Sequence, residues 1–389
     1  MKTTTNKKRL LAGGMAALLG VGVAFGHKVV VPVDQPDDGE AKVQIAILLD
    51  TSGSMSGLIE QTKTQLWRIV NTFIDAKQNG QVPFVEVALY EYGNDGLSGE
   101  AHWVRQIQPL TRDLDQVSAD LFGLRTNGGS EFCGAVIERA SLDLKWDSTP
   151  GVYKAIFVAG NEPFTQGPID PNGACKSAIS KGIIVNTIHC GTEKDGIAGG
   201  WKSGAMLADG TFLVINHNEA VVHIVAPQDT EILRLNAELN KTYIPIGKLG
   251  AMKREEQKVQ DDNAAARPES GAAVQRARTK SSSNYWNGNW DLVDACKTKE
   301  FKWTELKEED LPDEMKKLNV EERKAYVAKK QEERRGIQKK INKLNKDREV
   351  YVTDELKKTG EGAENTLDAV VVNTVRDQAK KKGYSFAKK

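Results

Sequence analysis

The sequence is short of the residues from which most catalytic and cofactor signatures are built. It holds 4 cysteines and 5 histidines in 389 residues. No Cys-x-x-Cys pair occurs and no His stands at zinc-finger spacing, so a structural zinc site is not indicated. His-Glu-x-x-His is absent, and so is Gly-x-x-x-x-Gly-Lys-[Ser/Thr]; neither a zincin centre nor a P-loop nucleotide site is expected. Aromatics make up 6% of the chain. An excess of one charge is missing too. Against 54 Lys and Arg stand 53 Asp and Glu, and a net charge of +1 leaves no whole-chain electrostatic footprint for nucleic acid. A charged fraction of 28% and a mean hydropathy of −0.46 fit a soluble chain with ample polar surface.

The N-terminus departs from this composition. Lys2, Lys7, Lys8 and Arg9 precede an acid-free apolar run from Leu10 to Gly26, closing in the small-x-small pattern Ala24-Phe25-Gly26. These are the basic and apolar regions of an export signal, residues 1–26, cut before His27. The alternative is an uncleaved anchor, since the run matches the shortest spanning helix; membrane association is expected only in that case. Either way the remainder lies outside the cytoplasm, and the signal's bacterial character points to the periplasm or to secretion. No Cys sits near the end of the run, so no lipoprotein cue is present. In an exported chain Cys133, Cys175, Cys190 and Cys296 can oxidise. A bridge among the first three is the expectation, with buried thiols as the alternative.

Residues 27–41 read as a linker, because Val31 to Ala41 is rich in Pro and Asp without periodicity. From Lys42 the pattern turns to strand, helix, strand. Val43–Leu49 is nearly continuous aliphatic, as in a strand covered on both faces. Ile59–Lys77 has helical spacing, with Trp67 and Phe73 as core residues. Phe84–Tyr92 is a strand, Trp103–Ile107 an edge strand, and Leu114–Leu124 and Cys133–Leu144 helices. Strand Tyr153–Val158, helix Ala174–Lys181 and strand Ile183–Ile188 follow, then a Gly-rich loop and strand Thr211–Ile215. A further strand, Val221–Ala226, and helix Asp229–Leu239 complete a first domain at 42–245. The fold class is therefore α/β: a doubly wound, mostly parallel sheet with helices on both faces. Residues 246–285 read as a polar helix and linker. Residues 286–389 form a charged, mainly α-helical region, with long helices over Val320–Leu356 and an apolar stripe over Leu367–Val375. It is expected to dock on itself or on the first domain.

One stretch carries chemistry. Asp50-Thr51-Ser52-Gly53-Ser54-Met55-Ser56-Gly57 follows the first strand, at the sheet end where such folds bind ligands. One carboxylate and two hydroxyls at alternate positions of a Gly-bearing turn suit a hard divalent cation, which takes oxygen ligands at about 2.0–2.1 Å in the case of Mg²⁺. The same residues also suit a helix cap and turn. Together with RTNGGSEFCGAVIERA (125–140), YKAIFVAGNEP (153–163), KGIIVNTIHCG (181–191) and WKSGAMLADGTFLVI (201–215), the motif resembles bacterial von Willebrand factor A domains and their metal-ion-dependent adhesion site. The resemblance spans roughly Lys42 to Ile215.

It implies that Ser52 and Ser54 bind the cation through their hydroxyls and Asp50 through a water. In the second loop Ser130, after Gly128-Gly129, is the best match and Glu131 a near alternative; Thr126 matches less well. The third loop departs from the family: Gly160 stands where an Asp is usual, and Glu162 is the candidate substitute. The cation implied is Mg²⁺, with Mn²⁺ or Ca²⁺ as alternatives. The function implied is an exported, non-catalytic binding module that recognises an Asp or Glu carboxylate of a protein partner. A metal-independent scaffold of envelope assembly is the second reading, and a metal-activated hydrolase the third. His189 and Cys190 do not form a catalytic pair, because adjacent strand residues point to opposite faces.

Overall fold

The computed structural model describes residues 41–55, 67–215, 224–266, 271–359 and 367–386. The expected export signal, most of the linker, residues 56–66 and 221–223 lie outside the described residues. The described residues form one compact unit.

Its centre is a six-stranded sheet in the order β4-β3-β1-β5-β6-β7. The strands are β1 (Lys42–Asp50), β3 (Phe84–Tyr92), β4 (Val104–Thr111), β5 (Tyr153–Gly160), β6 (Ile183–Cys190) and β7 (Phe212–Ile215). All pair in parallel except β4, which runs antiparallel along β3. In β1 the side chains alternate between two cores. Val43, Ile45, Ile47 and Leu49 enter one, whereas Ala46 and Leu48 enter the other. The first core is covered by α1 (residues 67–72 are described) and α2 (Leu114–Gly123). The second is covered by α3 (Cys133–Asp143), α4 (Pro171–Ser180) and α6 (Trp201–Leu207). The expected α/β class holds.

Several details differ from the sequence reading. The helix expected over Ile59–Lys77 stops short of Ala76–Lys77, which form a short strand. The Gly-rich stretch after β6 contains α5 (Glu193–Ala198) as well as α6. Residues 224–226, expected in a strand, belong to none.

The chain after β7 builds two further cores. Helices α7 (Asp229–Asn240) and α9 (Ala272–Lys280) pack with Tyr243, Tyr285, Trp290 and Ile341. Ile244, Ile246, α10 (Leu292–Ala295), α11 (Asp313–Lys316) and Val327 make the other. Helix α12 (Val320–Thr359) runs across both with Ile337, Ile341 and Leu344 inward, and α8 (Gly247–Ala265) lies beside α2. The region expected as a polar helix and linker at 246–285 thus holds two packed helices, α8 where the helix was expected and α9 in place of linker. Its buried residues include an ionic network: Arg276 joins Asp115 of α2 at 2.7 Å and Asp261 of α8 at 2.6 Å, and Lys280 joins Asp261 at 2.7 Å. A search for apolar periodicity does not detect such a face.

The chain then returns to the sheet. In α13 (Leu367–Lys380), Val371, Val375 and Ala379 fill the first core, and β8 (Ser385–Phe386) pairs antiparallel with β2 (Ala76–Lys77). The Tyr384 hydroxyl donates to the Lys42 carbonyl at 2.6 Å. The sheet core is therefore drawn from both sides of the helical region, and α7, placed before residue 245, packs in a separate core.

The expected disulfide is not formed; all four cysteines are free. Cys133 and Cys175 sit in the core on one face of the sheet, and Cys190 in the core on the other, so the sheet itself separates Cys190 from its supposed partners. Burial pushes the Cys175 thiol up to about 12. Among the described residues no helix is long and apolar enough to cross a membrane.

Candidate functional site

The C-terminal ends of β1, β3, β5 and β6 lie side by side, with Asp50 in register with Tyr92 and Gly160 with His189. The chain leaving β1 turns at once. The Ser52 N–H donates to Asp50 Oδ1 at 2.7 Å, and Gly53–Met55 forms one turn of 3-10 helix. Thr51 anchors this turn to its neighbours. Its N–H donates to the Tyr92 carbonyl at 2.9 Å, its hydroxyl to Glu91 at 3.2 Å, and its carbonyl accepts from the Asn127 N–H at 3.0 Å. Glu91 is in turn paired with Arg105 of β4.

Glycine brings the loops together. A Cβ on Gly93 would lie 2.9 Å from both Asp50 Oδ1 and Glu131 Cγ, which shows how closely these two carboxylate side chains approach. A Cβ on Gly129 would fall 1.5 Å from the Gly93 carbonyl oxygen. Gly93 also has φ of +77° and Gly129 of +142°, values that L side chains rarely adopt.

The structure thus sets Asp50, Ser52, Ser54 and Glu131 around one point. The Ser52 and Ser54 hydroxyl oxygens are 2.9 Å apart, and Ser54 donates to Asn161 Oδ1 at 3.1 Å. Asn161 is a site residue that sequence reasoning missed. It is uncharged and follows the departing Gly160, so no carboxylate drew attention to it. Ser130 is half-buried, and its hydroxyl makes no hydrogen bond to Asp50, Ser52 or Ser54 among the described residues. Glu162 is near enough to raise the pKa values of Asp50 and Glu131 but has no hydrogen bond to either. Asp95, on the loop after β3, adds to the negative field at Glu131. Ser56 and Gly57, at the end of the motif, lie outside the described residues.

Asp50 is fully buried, and its Oδ2 has no hydrogen-bond partner. Burial pushes its pKa up to about 7. The Ser52 backbone and hydroxyl oppose this shift, and Glu131 and Glu162 add to it. Glu131 is also raised, by burial first and then by Glu162 and Asp95. Two buried, mutually repelling carboxyl groups with an orphaned oxygen, faced by two hydroxyls, form a hard-oxygen donor set that fits a divalent cation. Among the described residues no three His, Cys, Asp or Glu side chains converge as a metal-binding group, so the serine oxygens are essential to that fit.

A side chain at position 160, where the resemblance leads one to expect a carboxylate, would meet a steric block. A Cβ on Gly160 would stand 2.5 Å from the Tyr92 hydroxyl oxygen, 3.1 Å from Trp201 and 3.3 Å from Asp50 Cβ. Tyr92 is held there by donating to the Ala159 carbonyl at 2.9 Å. His189 faces Trp201 with ring centroids 5.6 Å apart, while Cys190 enters the opposite core, so the two form no catalytic pair.

The sequence matches no protein-family model and no curated protein. Solved structures do show similarity. The conserved hypothetical protein BatB from Bacteroides thetaiotaomicron is 17% identical over 45% of this chain and 90% of its own, with a TM-score of 0.35. The SpRpn10 VWA domain is 17% identical over 46% of this chain and 88% of its own, with a TM-score of 0.34. Proximal thread matrix protein 1 from the mussel byssus, described with a zinc-occupied MIDAS motif, is 14% identical over 46% of this chain and 43% of its own, with a TM-score of 0.36.

Proposed function

We propose that this chain is an exported, non-catalytic protein-interaction module. Its recognition site is the cluster of Asp50, Ser52, Ser54 and Glu131, with Asn161 and Glu162 at the rim. Those residues would hold Mg²⁺, Mn²⁺ or Ca²⁺. The bound cation supplies a Lewis-acidic position for an Asp or Glu carboxylate of a protein partner. Thr51, tied to Glu91, Tyr92 and Asn127, holds the serine-bearing turn in place. Gly93 and Gly129 keep the space around Asp50 and Glu131 clear.

The observation that carries this reading is the buried Asp50 Oδ2 without a hydrogen-bond partner, beside a second raised carboxyl group. A fold retains such an arrangement at a cost, and a cation relieves it. The direct test is a thermal melt with Mg²⁺, Mn²⁺ or Ca²⁺ against EDTA, for the wild type and Asp50→Ala. The cation is expected to raise the wild-type melting temperature and leave the variant unmoved. Absence of any cation effect on the wild type would sink the reading. A pull-down from an envelope fraction with and without EDTA then asks for the partner.

A second reading, a scaffold of envelope assembly that uses no metal, is favoured by one observation: Tyr92 occupies the space a third-loop carboxylate needs. It expects Asp50→Ala to retain full partner binding. A hydrolase reading would need phosphoester or peptide turnover that vanishes in Asp50→Ala.

A further inference from the structure

The outward face of α12 carries a row of cations that the site above does not use. Between Arg334 and Lys346 the sequence has no acidic residue, and Arg335, Lys339, Lys343 and Lys346 fall at spacings of four, four and three. On a helix this places them along one line, about 16 Å long. All four are exposed. The opposite face is fixed: Ile341 is buried, Ile337 and Leu344 pack beside it, and Arg334 and Arg348 are buried in ion pairs with Asp291 and Asp229. The helix therefore cannot roll to bring the row inward. Arg335 pairs with Glu332 one turn back; no ion pair holds Lys339, Lys343 or Lys346 among the described residues. Exposed Asp347 lies just beyond the row.

We infer that this row is a docking surface for the phosphate headgroups of an anionic lipid bilayer. Three features favour a membrane face over other polyanions. The row stands on the exposed side of a helix about 60 Å long, so its charges lie along one line that a flat surface can meet at once. No aromatic side chain is interleaved with the cations, so nothing is present to stack on nucleotide bases. The side chains between the cations are Gly336, Ile337, Gln338, Lys340, Ile341, Asn342, Leu344 and Asn345, and the apolar ones among them face inward, so contact is electrostatic without insertion. Headgroups that diffuse laterally can gather beneath a rigid row of charges.

The test is co-sedimentation of residues 27–389, the chain expected after signal cleavage, with vesicles of phosphatidylcholine, with or without added phosphatidylglycerol. The wild type is expected to bind only the anionic vesicles and to be released by high salt. Lys339→Gln, Lys343→Gln and Lys346→Gln together are expected to weaken binding on the order of a hundredfold. Because these side chains are exposed, the variant should melt at the wild-type temperature. Equal binding to neutral vesicles, binding unchanged in the triple variant, or no binding by the wild type would each overturn the inference. Binding to duplex DNA with none to anionic vesicles would overturn it in favour of nucleic acid.

Discussion

A carboxylate buried without a partner stores instability that can be measured. The Asp50 pKa rises from 3.8 to about 7, so without a cation its contribution to stability is fully present below 3.8 and is lost as pH rises through 7. At 1.36 kcal/mol per unit, ionised Asp50 costs the fold about 4 kcal/mol at pH 8. Asp50→Asn is therefore expected to melt higher than the wild type in EDTA at pH 8, with the gap closing toward pH 4. Saturating Mg²⁺ should reverse the order. Denaturant melts across that range check both signs, and parallel curves would refute the assignment. His189 acts in the opposite direction. Its buried ring nitrogens have no hydrogen-bond partner, and burial lowers its pKa below 6.5 against the pull of Asp195. Its contribution holds above 6.5 and is lost as pH falls, so the stability of His189→Leu should fall less steeply than that of the wild type below pH 6.5. Gly160 gives a steric test. Gly160→Ala is expected to cost about 1–3 kcal/mol, and Tyr92→Phe in the same chain should recover part of it by removing the clashing oxygen. The departure at Gly160 was legible in the sequence. The steric block there was not, because Tyr92 comes from a strand that meets β5 only across β1.

Among the elements, the parallel strands of the sheet were legible because their largely aliphatic runs end in turn residues, and Val43–Leu49 led directly to the Asp50 turn; the two-residue strands β2 and β8 were too short to leave such a run. Helices α2, α3, α4 and α7 announced themselves through apolar spacing. Helices α5 and α6 did not, because Gly191, Gly196, Gly199, Gly200 and Gly204 punctuate them as a loop would. Helix α9 was hidden for a different reason. The residues it buries include Arg276, Thr279 and Lys280, which a hydrophobicity pattern counts as exposed. The Arg276 guanidinium lies between Asp115 and Asp261 and donates to the Gln257 carbonyl at 3.1 Å. Burial lowers the Lys280 pKa to about 8, with Asp261 opposing that shift. Removing one member of such a network leaves buried charge uncompensated. Arg276→Ala is expected to destabilise the protein by about 3–5 kcal/mol in chemical melts, and adding Asp115→Asn should return part of the loss. If the double variant is no more stable than Arg276→Ala alone, the network is not what joins α2 to α9.

At the scale of the molecule, chain order and core order diverge. The sheet is complete at Ile215, yet its first core also needs Val371, Val375, Ala379 and Tyr384, which follow the whole helical region. No local pattern in the sequence could reveal this, since an amphipathic stripe at Leu367–Val375 does not say which surface it covers. The consequence is energetic. The helical region is fixed to α2 through Arg276 and Asp115, to α1 through the hydrogen bonds of Asn71 with Gln275 and Thr279, and is followed in the chain by α13. Unfolding the sheet would expose buried ions on α9, while unfolding α12 would free the tether that carries α13 back to the sheet. The two regions are therefore expected to unfold in one cooperative transition, although their apolar cores are separate. Val375→Ala, which touches only the sheet core, is the informative perturbation. It should cost about 1–3 kcal/mol and shift the sheet and helix signals by the same amount. Near-ultraviolet and far-ultraviolet circular dichroism in urea would follow both, and a helix signal that outlasts the tertiary one would show that α7 to α12 stand without the sheet.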